Sequence, residues 1–154
     1  MGEITSIVYK PQHVDFKPLD RFSRVPLEQT RLITGYGIEG DRKGGHPQRQ
    51  LNILFSAHVE QLRAKGFKTA PGQLGEQIVL SGVDVAQIVP GTILQLGTLA
   101  QVKVVEWRSG CERFSRIHGL PYQEADGLLG VIATVVHGGK IRIGDAVKVL
   151  EVVG

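Results

Sequence analysis

The fold is decided by residues 92–106, which read TILQLGTLAQVKVVE. Two apolar stretches flank Gly97-Thr98, a pair typical of a tight turn. In the second stretch Gln101 and Lys103 alternate with apolar residues, and this period of two belongs to a strand with one buried and one exposed face. Residues 92–106 therefore predict two strands joined by a turn, at 92–96 and 99–106.

The same kind of pattern recurs on both sides of this stretch. Short apolar segments bounded by glycine predict further strands at 4–9, 26–34, 50–55, 78–80, 129–137 and 146–153, with a short piece at 141–143 between glycine-containing turns at 138–139 and 144–145. Helices are few: one follows Ser56 as its N-cap and stops at Gly66, and another begins near Cys111 and ends at Gly119. Many short strands with regular turns are typical of a sandwich or a barrel.

Composition limits the class of protein. The chain has 154 residues, the size of one domain spanning 1–154, and 42% of them are hydrophobic, which is enough for a packed core. One cysteine excludes a disulfide scaffold. Residues 1–10 lack the features of a secretory signal, and no window has 18 uninterrupted apolar residues, so no membrane span is expected. We expect a cytoplasmic protein with a reduced thiol.

The charge is modest and unevenly placed. Residues 1–77 hold 11 basic and 8 acidic side chains, whereas residues 78–154 hold 7 of each, which together make the net charge +3. The excess is too small and too scattered for a nucleic-acid partner, which would call for a basic stripe. A small anionic ligand remains compatible with it.

A glycine-rich loop at residues 35–50 is the first candidate for a site. Its glycines free the backbone to turn N–H groups outward. Arg42, Lys43, His46 and Arg49 place cations beside those donors, a combination that suits phosphate or another oxyanion. The loop matches no P-loop or dinucleotide fingerprint, and its alternative interpretation is a solvated surface loop.

Glu76 is the second candidate. It follows Gly75, which allows close backbone approach, and precedes the predicted strand 78–80. A carboxylate there would orient one of the arginines or act as a general acid or base. The alternative is an ordinary charge at a strand edge.

Cys111 is the third candidate, because it lies where a strand ends and a helix begins. A helix N-terminus and the nearby Arg108 and Arg113 favour the thiolate, which attacks electrophiles, carries a persulfide or binds a soft metal. The alternative is a buried, inert cysteine. Spacing alone does not decide whether His46, His118 or Glu76 lies near Cys111.

Taken in order, these segments resemble the MOSC domain, which is named for the C-terminal domain of molybdenum cofactor sulfurase. The resemblance covers the chain from about residue 20 to its end, with Cys111 following a strand as in the family. The matching segments are GIEGDR at 37–42, RQLNIL at 49–54, PGQLGE at 71–76, VPGT at 89–92 and GGKIRIGD at 138–145.

This resemblance implies a β-barrel and a role in molybdenum-cofactor chemistry. It makes Cys111 a sulfur carrier or a molybdenum ligand and puts Glu76 in the family's Gly-Glu element. Two residues depart from the family pattern: Gln77 stands where asparagine is common, and Gly110 stands where proline often precedes the cysteine. The second departure is expected to loosen the loop before Cys111.

Three functions follow from the resemblance and the residues. In the first, the chain binds molybdopterin phosphate through Arg42, Lys43 and Arg49 and handles sulfur or metal at Cys111. In the second, it is the terminal molybdenum-dependent reductase component for N-hydroxylated substrates, fed by flavoprotein partners. In the third, it is a non-enzymatic barrel that binds an anion or a partner protein.

The resemblance also implies partners. No pyridoxal-phosphate site is expected in this chain, because the aminotransferase-like domain of the full sulfurase has no counterpart in its sequence. A sulfurtransferase role therefore requires a separate cysteine desulfurase to load Cys111, or a molybdoenzyme partner to receive the product.

Overall fold

Strands make up most of the structure, a computed structural model that describes residues 2–12 and 20–152. They are β1 Gly2–Tyr9, β2 Val25–Leu27, β3 Gln29–Ile33, β4 Gly37–Ile38, β5 Leu51–Phe55, β6 Ile78–Ser81, β7 Thr92–Leu96, β8 Ala100–Trp107, β9 Val131–His137, β10 Gly139–Arg142 and β11 Ala146–Val152. The helices are α1 Ser56–Ala64 and α2 Glu112–His118, with single 3₁₀ turns at Val85–Gln87 and Tyr122–Ala125. Within the described ranges, no helix has the length and apolar character needed to cross a bilayer.

Seven strands close into a barrel. Their order is β11-β7-β8-β9-β5-β6-β1, and the pairing of Gly2 with Val147 joins β1 back to β11. Neighbouring strands are antiparallel except β5 and β6, which are parallel and are connected through α1. The β7–β8 hairpin has the predicted turn at Gly97. The mainly β fold with few helices, expected from the sequence, is confirmed.

The barrel interior holds the larger of two apolar cores. Val102 and Val104 of β8 are fully buried, whereas Lys103 between them is exposed, as the alternation of the sequence predicts. A smaller core lies outside the barrel, where Val59 and Leu62 of α1 meet Phe114 of α2. This second core attaches α2, and with it the segment that carries Cys111, to the barrel.

Two boundaries predicted from the sequence were wrong. The strand predicted at 26–34 is divided at Glu28, because β2 pairs with β1 of the barrel whereas β3 joins a separate three-stranded sheet with β10 and β4. Ser56 is the first residue of α1 and not its N-cap; the cap position belongs to Phe55, a buried residue still paired to Leu80 in the sheet. The predicted end of the last strand, Val153, lies outside the described residues.

Gly130 allows two barrel strands to approach each other closely. Its φ is +69°, and a Cβ atom built there would lie 2.0 Å from the carbonyl oxygen of Ile53. The carbonyl oxygen of Gly130 accepts the backbone N–H of Arg108 at 2.9 Å. This glycine therefore brings β5, β9 and the end of β8 together.

We predict that Gly130→Ala lowers the free energy of unfolding by about 3 kcal/mol or more, because backbone must move to admit the methyl group. Gly127→Ala is the matched control: its φ is +77°, but nothing lies within 4 Å of the added Cβ, so its cost is the left-handed strain of about 1 kcal/mol. Urea denaturation of both variants measures the difference. Equal losses would contradict the close-approach argument.

Candidate functional site

A cavity of about 300 Å³ lies at the end of the barrel where β1 and β8 finish and β5 and β6 begin. Loops between the strands, together with the start of α2, complete its walls. Its lining consists of Lys10, Phe22, Arg24, Lys43, Arg49, Gln50, Leu51, Asn52, Gly75, Gln77, Arg108, Cys111, Arg113 and Ile132. We call this cavity the cationic pocket, because the described residues of its lining include six lysine and arginine side chains and no carboxylate.

The pocket brings together residues that are far apart in the sequence. Of the residues predicted to bind the cofactor, Lys43, Arg49, Arg108 and Arg113 line it together with Cys111. Arg42, His46 and Glu76 are not part of the lining. The pocket therefore joins two of the three candidate segments, the glycine-rich loop and the segment around Cys111, whereas the side chain of Glu76 lies outside it.

Arg108 is a cation of the pocket whose guanidinium group is withdrawn from water. Its Nη1 donates to Oδ1 of Asn52 at 2.5 Å and to the carbonyl oxygen of Leu74 at 2.6 Å. Burial lowers its pKa to about 10, an effect that Glu76 and Cys111 oppose, so the guanidinium stays charged at neutral pH. Among the described residues, none places a carboxylate oxygen within 4 Å of it. Neutral acceptors hold this buried charge.

Arg24 is a pocket residue that the sequence analysis missed. Its Nη2 donates to the carbonyl oxygen of Gly75 at 3.3 Å, whereas its buried Nε has no hydrogen-bond partner. Burial lowers the pKa of Arg24, against the opposing effect of Asp41 and Glu76. An orphaned, buried guanidinium nitrogen is costly, so the position of Arg24 is maintained against a desolvation penalty.

Lys10 was missed as well. It lies directly after β1, is only 2% exposed and lines the pocket. Burial lowers the pKa of its ammonium to about 8, and neighbouring cations, first Arg24 and Lys43, act in the same direction. The sequence carried one signal for it, a lone basic residue directly after an apolar strand, but nothing local showed that it faces the arginines.

Cys111 lies at the rim of the pocket with an exposed thiol. It occupies the N-cap position of α2 in extended conformation, and its carbonyl oxygen accepts the N–H of Ser115 at 3.1 Å. A thiolate at this position raises the pKa of both Arg108 and Arg113. The helix boundary predicted near Cys111 is confirmed, and the thiol is not buried.

The segment before Cys111 is packed and not loosened by Gly110. A Cβ at Gly110 would lie 2.7 Å from Cβ of Tyr122, so the ring of Tyr122 occupies the space that a larger residue would need. The backbone N–H of Tyr122 in turn donates to Oγ of Ser115 in α2 at 2.7 Å. Glycine in place of proline at this position therefore leaves room for the side chain of Tyr122.

The glycine-rich loop contributes side chains to the pocket but not the expected cradle of free N–H groups. The N–H groups of Arg42 and Gly44 donate to the carbonyls of Lys10 and Asp41, and the N–H of Lys43 donates to Oδ1 of Asp41. The phenol of Tyr36 donates to the carbonyl oxygen of Asp41 at 2.6 Å. These backbone donors are therefore already used by acceptors at Asp41, within the loop, and at Lys10, after β1.

Arg42 and His46 lie beside the pocket and not in it. Arg42 is half-buried and reaches the carbonyl oxygen of Gln12 through Nη1 at 3.5 Å. His46 is exposed, and its Nδ1 accepts the N–H of Gln48 at 2.9 Å.

Glu76 faces its own loop. It is 2% exposed, and its two carboxylate oxygens accept the N–H groups of Gly72 at 2.8 Å and Leu74 at 3.2 Å. Burial raises the pKa of Glu76, while these hydrogen bonds and Arg108 act against that rise. Its side chain lines a different cavity, of about 240 Å³, next to α1. The catalytic role predicted for Glu76 stays a prediction; its contacts shape the loop that holds Arg108.

His118 belongs to the smaller core and not to the pocket. Its Nε2 lies 3.0 Å from the carbonyl oxygen of Gln73, and its Nδ1 accepts the N–H of Lys68 at 3.1 Å. Its ring centroid is 4.3 Å from that of Phe114. Burial lowers the pKa of His118 to about 4. Within residues 2–12 and 20–152, no group of three or more His, Cys, Asp or Glu side chains is arranged to hold a metal ion.

The sequence profile of the MOSC domain matches residues 40–148, more than two thirds of the chain. The protein belongs to the MOSC domain family, which is associated with molybdenum-cofactor binding. No curated protein sequence matches it.

Solved structures show the same fold at low sequence identity. The YuaD protein from Bacillus subtilis is 18% identical with a TM-score of 0.73, over 96% of this chain and 94% of that one. YiiM from Geobacillus stearothermophilus is 21% identical with a TM-score of 0.73, over 98% and 76%. YiiM from Escherichia coli is 19% identical with a TM-score of 0.65, over 98% and 71%.

The environment of His118 predicts an acid-sensitive fold. Because its folded pKa lies below the unfolded value of 6.5, the unfolded state binds more protons between pH 6.5 and 4, and stability falls as pH falls through that window. We expect a loss of roughly 1 kcal/mol per pH unit in urea denaturation. In His118→Gln the dependence of stability on pH should be less steep. His58, whose pKa is also lowered by burial, contributes to the slope that remains. An unchanged slope in the variant would contradict this assignment.

The environment of Lys10 predicts pH-dependent anion binding. An anion favours the ammonium form, so the affinity for sulfate, which stays a dianion throughout, should fall as pH rises above about 8, by up to about tenfold per pH unit. Calorimetric titrations between pH 7 and 9.5 measure this, in a Cys111→Ser background so that thiol ionisation does not contribute. Lys10→Met should bind more weakly at pH 7 and show no such fall. A parallel fall in both proteins would exclude Lys10 as its source.

Proposed function

We propose that this protein binds the molybdenum cofactor in the cationic pocket and presents the Cys111 thiol beside it. The observation that supports the proposal is the convergence of Cys111 with six cationic side chains on one cavity, in which no carboxylate occurs among the lining residues that the structure describes. The cofactor has both features that such a cavity would recognise, a phosphate group and a metal–sulfur centre.

The residues of the pocket fit a phosphate group. Arg24 and Arg108 lie on either side of Gly75: Arg24 donates to its carbonyl oxygen, and a Cβ at Gly75 would lie 3.0 Å from Nη2 of Arg108. Guanidinium groups bind phosphate oxygens through two parallel N–H donors. In this proposal Arg24, Arg108 and Lys10 hold the phosphate. They replace the residues that the sequence suggested for this role, which were Arg42, Lys43 and Arg49.

The thiol fits the other end of the cofactor. Thiolate is a soft ligand that suits a molybdenum centre or a sulfur-transfer step. The cofactor, when bound, supplies the metal centre for oxygen-atom and electron transfer. The protein's own residues bind the phosphate, orient the group and place the sulfur atom of Cys111 at the rim, where a partner protein has access to it.

In the sulfur-carrier form of this proposal, the thiolate of Cys111 attacks the outer sulfur of a persulfide on a cysteine desulfurase, a pyridoxal-phosphate enzyme. A new sulfur–sulfur bond forms on Cys111, the bond within the donor persulfide breaks, and the donor's thiolate leaves. No net oxidation or reduction occurs. The exposure of Cys111 supports this access, and the reducing cytoplasm, where such a thiol stays free, is the compartment we propose.

The test is purification from a host that makes the cofactor and from one that does not. We expect oxidised-pterin fluorescence and molybdenum to co-purify with the wild-type protein from the first host alone. Arg108→Gln and Arg24→Gln should each lower the pterin content by about tenfold, since each removes a charge-assisted contact. Arg142→Gln, which changes an exposed arginine in β10 outside the lining of the pocket, is the matched control and should retain full content.

Cys111→Ser separates the roles of the thiol. If Cys111 binds molybdenum, the variant keeps pterin but loses molybdenum; if it carries sulfur, the variant keeps both and fails to gain the mass of one sulfur atom after incubation with a desulfurase and cysteine. Wild-type protein without pterin, molybdenum or persulfide would refute the proposal. Reduction of N-hydroxylated compounds by cofactor-loaded protein with flavoprotein partners would assign the reductase role instead.

A further inference from the structure

A chain of hydrogen-bonded polar side chains runs along the wall of the cationic pocket. It consists of Asp41, Gln77, Asn52 and Arg108, of which the last three line the pocket; Asp41 is fully buried and Gln77 and Asn52 are each 5% exposed. Gln77 occupies its centre: Nε2 donates to Oδ2 of Asp41 at 3.3 Å, and Oε1 accepts the backbone N–H of Asn52 at 2.7 Å. The single side-chain amide of Gln77 therefore connects the glycine-rich loop, at Asp41, to the start of β5, at Asn52.

On one side of Gln77, Asp41 organises two cationic segments. Its Oδ1 accepts the backbone N–H of Lys10 at 3.0 Å and that of Lys43 at 3.2 Å. Both lysines line the pocket. Asp41 thus fixes where the end of β1 and the glycine-rich loop present their cations, and Gln77 fixes the carboxylate of Asp41.

On the other side, Asn52 organises Arg108. Its Nδ2 donates to the carbonyl oxygens of Leu129 and Val131, both at 3.1 Å, which leaves Oδ1 facing Nη1 of Arg108. The backbone of Asn52 is bound on both sides by Gln77, because its carbonyl oxygen also accepts the N–H of Gln77 at 3.0 Å. The direction of the Arg108 guanidinium therefore depends on how Gln77 holds Asn52.

We propose that Gln77 is a positioning residue that couples the lysine wall of the pocket to the Arg108–Cys111 wall by bridging Asp41 and Asn52. It touches both neighbours at the full reach of a glutamine amide, whereas asparagine, common at this position in the family pattern, is shorter by one methylene, about 1.5 Å. The inference rests on the proposed function in that the pocket holds an anion beside the thiol.

The bridge has a consequence for anion binding. Lys10 and Lys43 stand on one side of it and Arg108 on the other, and all three line the pocket. If Gln77 is lost, Arg108 has an acceptor that is no longer held in place, and the carboxylate that fixes the two lysine segments loses its own donor. The cations then no longer converge on one anion, and the affinity of the pocket for sulfate falls.

The experiment measures sulfate affinity by calorimetry at pH 7 in Gln77→Met, Lys10→Met, Arg108→Gln and the two double variants that contain Gln77→Met. We expect Gln77→Met to bind sulfate about tenfold more weakly. Because Gln77 acts through the cations of both walls, its effect should shrink to about threefold or less once Lys10 or Arg108 has been replaced. Gln101→Met is the control, since Gln101 lies at the opposite end of β8, and should match the wild type.

Cooperative thermal unfolding establishes that each variant is folded, and Gln77→Asn, which keeps an amide, carries the test if Gln77→Met does not fold. A folded Gln77 variant with wild-type sulfate affinity overturns the proposal, and so do losses that simply add to those of Lys10→Met and Arg108→Gln. Wild-type protein that binds sulfate but neither pterin nor molybdenum would refute the proposed function instead, while the sulfate affinities still decide the role of Gln77.

Discussion

The site depends on the hydrogen bonds that hold the buried guanidinium of Arg108. A charge in the protein interior is costly unless it is paired or well hydrogen-bonded, and the two acceptors of Arg108, Asn52 and Leu74, are both neutral. Each acceptor is itself held: Asn52 by Gln77, and Leu74 through the carboxylate of Glu76. The surrounding polar groups thus keep a cation in place beside a cavity without neutralising it, an arrangement that suits an anionic ligand.

The closed barrel supplies the rigidity that this arrangement needs. β1 and β8 finish, and β5 and β6 begin, at the end that carries the pocket, so side chains from four strands meet there on a frame without free edges between them. The parallel pairing of β5 and β6 places the N-termini of both strands at that end. Asn52 and Gln77 consequently lie side by side, although α1 and a long loop separate them in sequence.

The two ends of the proposed ligand site have different physical characters. Lys10, Arg24 and Arg108 are partly or fully withdrawn from water, where charges act strongly, and Cys111 is exposed at the rim. A group bound with its phosphate among the arginines would present its metal–sulfur end toward solvent and toward partner proteins. The solved relatives share the fold at 18–21% identity, so this assignment rests on the pocket and on the family and not on those structures.

Much of the fold could be predicted from local sequence. The alternation at Val102 and Val104 predicts a half-buried strand, and Gly119 ends α2 with a φ of +69°, because period and left-handed conformation are local properties of the chain. The division of the strand at Glu28 could not be predicted, since its two halves pair with different sheets.

The same distinction between local sequence and tertiary structure applies to the candidate site. The sequence by itself determined that a single cysteine follows a strand, that arginines are nearby and that the family motifs occur in order. It did not decide whether the thiol is exposed or buried. Only the tertiary structure decided that Lys10 and Arg24 join Arg108, that Glu76 turns into its own loop, and that Arg42 and His46 lie outside the lining of the pocket. These outcomes depend on pairings such as β1 with β6 and β5 with β9, and the direction of a side chain relative to residues paired across the barrel is not a local property of the chain.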